Sequence, residues 1–229
     1  MKKAVVFTGA GISAESGIKT FRDSDGLWEE YSVEDVATPQ AWERNPLLVI
    51  NFYKQRREQV MKAKPNVAHT ALVNLEKKFD VHIVTQNIDD LHERAGSTKV
   101  IHLHGEINKV RSSIDASVVY PANKDYIKIG DLCEKKSQIR PHVVWFGESV
   151  PMMETACRIV SLADIFIIIG TSLNVYPAAG LLNYAPPGIP KYLIDPNNVK
   201  KNYHSDLTII EETAGKGVPE LVNFLITQC

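Results

Sequence analysis

The chain has 229 residues, 26 basic against 27 acidic side chains, and a formal net charge of −1. That length suits one large domain with a small insert, and a 44% hydrophobic, 23% charged composition is that of an ordinary globular protein. The near-neutral balance gives no basic field for nucleic acid or an anionic membrane, no apolar run is long enough to span a bilayer, and three widely spaced cysteines (Cys133, Cys157, Cys229) argue against a disulfide framework and for a reducing cytoplasm.

Met1-Lys2-Lys3 leads directly into an apolar run, Ala4–Thr8, which is too short for the core of a signal peptide. Further runs follow at Val81–Thr85, Val143–Phe146, Ile165–Ile169, Tyr192–Ile194 and Leu207–Ile210. Each is uniformly apolar rather than alternating, as strands buried on both faces are. Helices are expected at Pro46–Ala63, Ala68–Lys78, Met152–Leu162 and Val218–Thr227. Asn45 is the expected N-cap of the first, with Pro46 at its first position. Strands alternating with helices predict an α/β fold: a Rossmann-like parallel sheet with helices on both faces. Residues 23–64 and 108–140 interrupt the alternation. They predict a smaller lobe built from two insertions, beside a main domain of residues 1–22, 65–107 and 141–229. A cleft between lobes is a common ligand site.

The first strand runs into Gly9-Ala10-Gly11-Ile12-Ser13-Ala14, a G-x-G-x-x-A turn before a helix. Gly9 permits a tight turn, Gly11 leaves room for a pyrophosphate, and the helix start offers N–H groups to negative charge. Alone the motif is weak. A dehydrogenase would also place a second strand ending in an acid about 20 residues on. Polar Arg22-Asp23-Ser24-Asp25-Gly26 stands there instead, which weakens a hydride-transfer reading.

Six segments then stand in a telling order. They are Gly9–Ser13, Gly17-Ile18-Lys19-Thr20-Phe21-Arg22, Thr85-Gln86-Asn87-Ile88-Asp89, His102-Leu103-His104-Gly105-Glu106, Arg140–Glu148 and Gly170-Thr171-Ser172. In this order, across essentially the whole chain, the sequence resembles the sirtuins, NAD-dependent protein-lysine deacylases that yield nicotinamide and O-acyl-ADP-ribose. In that chemistry the acyl oxygen attacks the ribose as nicotinamide leaves, and a base then activates a ribose hydroxyl. Histidine titrates in the right range for that base. The resemblance assigns the role to His104, whereas His69, His82, His92, His102, His142 and His204 are read as structural. It also implies that Asn87 orients the ribose, that Asp89 holds the nicotinamide amide, and that Gln86 and Ile88 line the same site. Asn87 and Asp89 follow a strand end, where open α/β sheets bind ligands. Gly9, Ala10, Gly11, Ser13, Phe21, Arg22, Trp28, Gly170, Thr171 and Ser172 complete the expected NAD contacts, with Asp195 and Ala214 on the adenosine side. An acylated lysine of a protein substrate is expected to lie as an added strand between Gly147-Glu148 and the segment around Asn174-Val175-Tyr176, beside Val144 and Phe146.

Two features mark a subgroup. Tyr53 and Arg56 are spaced i, i+3 on the expected helix 46–63 and so share a face. In the class III sirtuins such a pair reads the distal carboxylate of succinyl or malonyl groups, and Arg binds carboxylates bidentately. Ala37 leaves room for the longer chain, and Thr20 resembles the same subgroup. Some deacetylation is expected beside this activity. The second feature is a departure. Sirtuins hold a structural zinc with two Cys-x-x-Cys pairs, but here Arg111-Ser112-Ser113-Ile114-Asp115 has no thiol and Cys133-Glu134-Lys135-Lys136 has one. Four Cys or His ligands cannot be assembled, so no zinc is expected. The competing readings are a protein ADP-ribosyltransferase and a non-catalytic NAD-binding module. No nucleic acid or membrane partner is expected, and the oligomeric state is left open.

Overall fold

The computed structural model describes residues 1–19, 31–171, 173, 176–197 and 206–228. Its main sheet has six parallel strands: β1 (Lys3–Thr8), β2 (Asp80–Thr85), β3 (Val100–His102), β7 (Ile165–Ile169), β8 (Lys191–Ile194) and β9 (Leu207–Ile210). They run in the spatial order β3-β2-β1-β7-β8-β9. Alternate residues of the apolar strands serve opposite faces, as the period of two requires. Val6, Ile83 and Ile167 pack under α5 (Val67–Leu75) and α8 (Ala214–Thr227). Phe7, Val84 and Ile168 pack under α7 (Met153–Val160) and a 3-10 helix, Ala178–Tyr184. The expected Rossmann-like sheet with helices on both faces is therefore present.

Between β1 and β7 the strand order reverses, and two oppositely directed crossovers leave a crevice at the strand ends. Two elements come close beside it. The short helix α1 (Gly11–Ala14) follows β1, and α6 (Leu91–Ala95) follows β2. Under the end of β1, His92 Nε2 lies 3.1 Å from Thr8 Oγ1, and the fully buried rings of His69 and His92 are 4.9 Å apart.

The smaller lobe holds an antiparallel sheet, β5-β4-β6, made of β4 (Gly105–Ser112), β5 (Val119–Pro121) and β6 (Ile139–Val143). Helices α2 (Val33–Val36), α3 (Pro39–Arg44) and α4 (Pro46–Lys62) pack on it around Phe52, Tyr53, Val110 and Trp145. Asn45 caps α4 as expected, its side chain accepting from Leu48 N at 3.1 Å.

One expected strand is corrected. Val143–Phe146 is not part of the main sheet. β6 ends at Val143, pairs with β4, and gives way to a turn. Its apolar character reflects packing into the small lobe's core, where Val143 and Trp145 are buried. The strands β3 and β4 were not anticipated. β3 is three residues long, and β4 mixes charged with apolar side chains. α8 starts at Ala214, four residues before the expected Val218, because the Glu15 carboxylate accepts from Gly215 N at 2.6 Å and caps its first turn. Among the described residues no helix is long and apolar enough to cross a membrane.

Candidate active site

The loops after β1 and β7 interlock through glycines. A Cβ on Gly11 would stand 2.6 Å from Gly170 Cα, one on Gly9 2.7 Å from Gly170 O, and one on Gly170 2.5 Å from Ile12 N. Gly170 also has a left-handed backbone, φ +61°. These glycines thus serve loop-to-loop contact before they serve any ligand. The loop start differs from the expected row of free N–H groups. Gly11 N donates to Gly170 O at 2.9 Å, Ile12 N to Gly9 O at 3.2 Å and Ser13 N to Ala10 O at 3.0 Å. The cause is length: α1 is a single turn, so its N–H groups close on the loop itself.

The Gln86–Asp89 loop docks on this turn from the end of β2. Asn87 Nδ2 donates to Gly9 O at 3.1 Å and to Ser13 Oγ at 3.2 Å, and Ser13 Oγ donates to Asp89 Oδ2 at 3.0 Å. All three side chains are buried. Burial pushes the Asp89 carboxyl above its ordinary range, against Leu91 N–H, the Ser13 hydroxyl and the nearby His102. Ile88 is half-buried against the small lobe's core, and its carbonyl accepts from Ile107 N at 2.8 Å. Gln86 Oε1 accepts from the Thr171 hydroxyl at 3.3 Å, but its Nε2 is buried with no partner among the described residues.

Two histidines, two residues apart, grip successive carbonyls of that loop. His102 Nδ1 lies 2.8 Å from Asn87 O and its Nε2 2.8 Å from Glu93 Oε1. Burial opposes a charge on His102, yet Glu93 and the Asn87 carbonyl raise it above the ordinary value. His104 Nδ1 lies 3.1 Å from Gln86 O. A carbonyl only accepts, so this contact puts the proton on Nδ1 and leaves the Nε2 lone pair free. Burial holds His104 below its ordinary value, against that carbonyl, so the ring is neutral near pH 7. Identical residue types two positions apart are thus shifted in opposite directions.

On the far side, Asp195 is buried and its Oδ1 accepts from Asn197 N at 2.9 Å and Asn197 Nδ2 at 3.1 Å. Ala214 is buried at the start of α8. Phe21, Arg22, Trp28, Ser172, Asn174 and Val175, with Thr20, lie outside the described residues.

On the small-lobe side, Ala37 is buried and its carbonyl accepts from Phe146 N at 3.0 Å. Half-buried Val144 donates its N–H to His104 O at 2.9 Å. Phe146 and Gly147 are exposed at the tip of the turn after β6. Tyr53 and Arg56 are not a solvated helix face: Tyr53 is 3% and Arg56 8% exposed. Burial pushes the Tyr53 hydroxyl well above its ordinary value and lowers Arg56, against nearby Tyr53 and Asp89. Arg56 Nη1 donates to Lys19 O at 3.0 Å, and among the described residues the guanidinium has no carboxylate partner. Glu148, expected at the peptide, points its carboxylate inward to Arg111, Arg140 and Trp145 N.

At the place of the two cysteine pairs, Ser137 Oγ lies 2.9 Å from Ser112 Oγ and 3.1 Å from Cys133 Sγ, and Lys135 forms an ion pair with Asp115. One thiol, no imidazole and an ammonium group do not fit a tetrahedral zinc. Among the described residues no group of three or more His, Cys, Asp or Glu is poised for a metal.

Several contributors escaped the sequence. His102 fits the structural reading given to it, bonded to Asn87 O and Glu93 Oε1, but its hold on the same loop that His104 grips is a positioning role that its sequence context does not specify. Arg140 stood in a quoted motif without a role. Nothing in the sequence marked Arg111, Glu93 or Glu15.

The Sir2 family model matches residues 9–177, and the chain belongs to that family. It is 54% identical over 236 residues to an NAD-dependent protein deacylase of Bacteroides thetaiotaomicron, covering 99% of each chain. It is 50% identical over 226 residues to an NAD-dependent protein deacylase of Helicobacter pylori, covering 99% of this chain and 98% of that one. Among solved structures it resembles a Sir2 homolog–NAD complex (TM-score 0.88, 41% identity, covering 99% of this chain and 90% of that one). It also resembles a Sir2 bound to acetylated peptide (TM-score 0.78, 30% identity, covering 98% and 92%).

Proposed function

We propose that this protein is an NAD-dependent protein-lysine deacylase that prefers succinyl and malonyl groups, with some deacetylation. The observation that carries the catalytic part is His104, a neutral imidazole whose Nδ1 is held on Gln86 O, so that Nε2 is bare at the carboxyl end of the sheet. When bound, NAD supplies the activated ribose carbon and the nicotinamide leaving group. The chain fits it in a specific respect: Gln86 Nε2 is a buried donor without a partner, and such an atom costs about 1–3 kcal/mol until a ligand accepts from it. Asn87 and Asp89 orient ribose and nicotinamide from a loop already locked to Ser13. His104 takes the proton of a ribose hydroxyl at Nε2, and the proton on Nδ1 stays on the Gln86 carbonyl throughout. Related deacylases of Bacteroides thetaiotaomicron and Helicobacter pylori, and a related structure with an acetylated peptide, support this reading.

The acyl preference rests on Arg56. A buried guanidinium with one carbonyl acceptor is incompletely compensated. The distal carboxylate of a succinyl or malonyl chain supplies the missing charge, with Tyr53 as a second donor and Ala37 leaving space. The NAD side is assigned to residues 1–22, 65–107 and 141–229, and the acyl side to the lobe of residues 23–64 and 108–140, which stands without zinc on packing and hydrogen bonds.

The test mixes the protein with NAD and equal acetyl-, malonyl- and succinyl-lysine peptides of one sequence and follows acyl-ADP-ribose products by mass spectrometry. Succinyl and malonyl products should dominate, and Arg56→Met should abolish that preference. Exclusively acetyl product defeats the acyl assignment alone. Labelled ADP-ribose on protein without deacylation would favour a transferase, and NAD binding without any product would reduce the chain to a binding module.

A further inference from the structure

Arg111 on β4 and Arg140 on β6 are directly paired across the antiparallel ladder, and both are buried, at 7% and 5% exposure. Like charges placed opposite each other repel, and in a buried site that repulsion is poorly screened. The chain returns one anion to the spot. Glu148 Oε1 accepts from Arg140 Nη1 at 2.8 Å and from Arg111 Nη2 at 3.1 Å, while Oε2 accepts from Arg140 Nη2 at 3.0 Å and Arg111 Nη2 at 3.1 Å. The same Oε2 accepts from Trp145 N at 2.8 Å, and Glu148 N donates to Trp145 O at 3.0 Å, so the turn Trp145–Glu148 is closed from both ends. Arg140 adds a hydrogen bond to Val143 O at 2.9 Å and stacks on the Trp145 ring, 3.3 Å from its centroid. The two guanidinium partners of this network are buried. What it leaves outside is Phe146 and Gly147, the latter with φ +90°.

We propose that Glu148, clamped by Arg111 and Arg140, is a positioning residue for the acylated peptide: its carboxylate does not touch the peptide but fixes the Trp145–Glu148 turn against which the peptide strand docks. The clamp rests on the deacylase reading for the identity of the peptide, and it is separate from the NAD side. Val144, between the clamp and that side, is tied to the backbone of His104 and not to its ring.

The test measures binding rather than turnover, so that it does not depend on catalysis. Dissociation constants for a succinyl-lysine peptide and for NAD are measured by calorimetry on the full chain and on Glu148→Gln. The peptide should bind at least tenfold more weakly and NAD within twofold of the unaltered protein. Glu148→Gln leaves two facing arginines short of an anion, so it is also combined with Arg111→Met, which removes the repulsion. That double variant should recover the melting temperature and still bind peptide at least tenfold more weakly. Unchanged peptide affinity in the single variant, or peptide and NAD affinities falling together in both variants, overturns the proposal. Full peptide binding by an unaltered protein that forms no product would defeat the deacylase reading and leave the clamp standing.

Discussion

The six-stranded sheet and the three-stranded sheet bury different chemistry. In the first, β1 and β7 contribute Val5, Val6, Phe7 and Ile165–Ile169, all buried, and the side chains between sheet and helices are apolar except near the strand ends, where Thr8 and Thr85 bond each other. In the second, β4 and β6 bury Arg111, Arg140 and Ser112 beside Ile107, Val110 and Val143. Apolar burial is non-directional and tolerates sliding, whereas a guanidinium opposite a carboxylate has one geometry that satisfies it. What fixes the large sheet's loops is instead the close meeting of glycine backbones at Gly9, Gly11 and Gly170. The small lobe is tuned by charges, and the side of the cleft assigned to the acyl group inherits that tuning.

The large sheet is most sensitive at its glycines. Gly170→Ala should be the most damaging single change, since the new Cβ meets backbone on both Gly11 and Ile12 and the left-handed conformation adds strain. Overpacking and strain together place the loss at about 2–5 kcal/mol, read as a fall in the urea midpoint. In the charged lobe, Glu148→Gln alone should cost roughly 3 kcal/mol, because it strips a buried ion cluster of its anion. A double-mutant cycle with Arg111→Met, followed by thermal melting, checks this. If both lobes lose equal stability to apolar truncations but neither responds to these two variants, the distinction drawn above fails.

Acid should sharpen the contrast from the other side. His69 and His92 are buried under β1; burial lowers His69 to about 4 and His92 well below its ordinary value, with His69 and His102 adding to the effect at His92. The unfolded chain takes up protons near pH 6.5, while the folded one resists until far lower. Stability is therefore present above pH 6.5 and is lost as the pH falls toward 4, by roughly 3 kcal/mol for His69 on its own. His102 runs the opposite way, since its raised value favours the folded state below 6.5, but burial also lowers His104 and His142. Denaturant midpoints measured between pH 7.5 and 5 should thus fall steadily, and a midpoint rising with acid would contradict the assignment. Arg56→Met gives a smaller and inverted effect. Removing an incompletely compensated buried charge should leave the melting temperature of the ligand-free protein unchanged or raised, even as succinyl turnover is lost. Smallest of all is the effect of a chelator. EDTA should move neither melting temperature nor activity, and stoichiometric zinc by elemental analysis would overturn the zinc-free reading.

Much of the large sheet could be read in advance because Val, Ile and Phe buried on both faces leave uninterrupted runs, as in Ala4–Thr8 and Ile165–Ile169. Val143–Phe146 carries the same signature and belongs elsewhere, since a run of apolar residues reports burial but not the sheet that buries it. β4 stayed hidden because Arg111 and Lys109 interrupt its pattern, and a buried arginine looks exposed until its anion is known. The positions gathered around Ser13, Asn87, Asp89 and His104 followed from motifs. The inward turn of Glu148 and the burial of Tyr53 and Arg56 did not, because each depends on contacts between residues far apart in the chain.

The place of β1 has a consequence for biosynthesis. It precedes the other five strands of its sheet in the chain, yet it sits at the middle, with Val6 paired to both Ile83 and Ile167. A chain emerging at about 5–20 residues per second leaves that strand with one open edge until β7 has cleared the ribosome. The interlock of Gly9 and Gly11 with Gly170 closes only then. The meeting of the loops after β1 and β7 therefore waits for residue 170, and a product truncated before residue 165 carries His102, His104 and the Gln86–Asp89 loop on half a sheet.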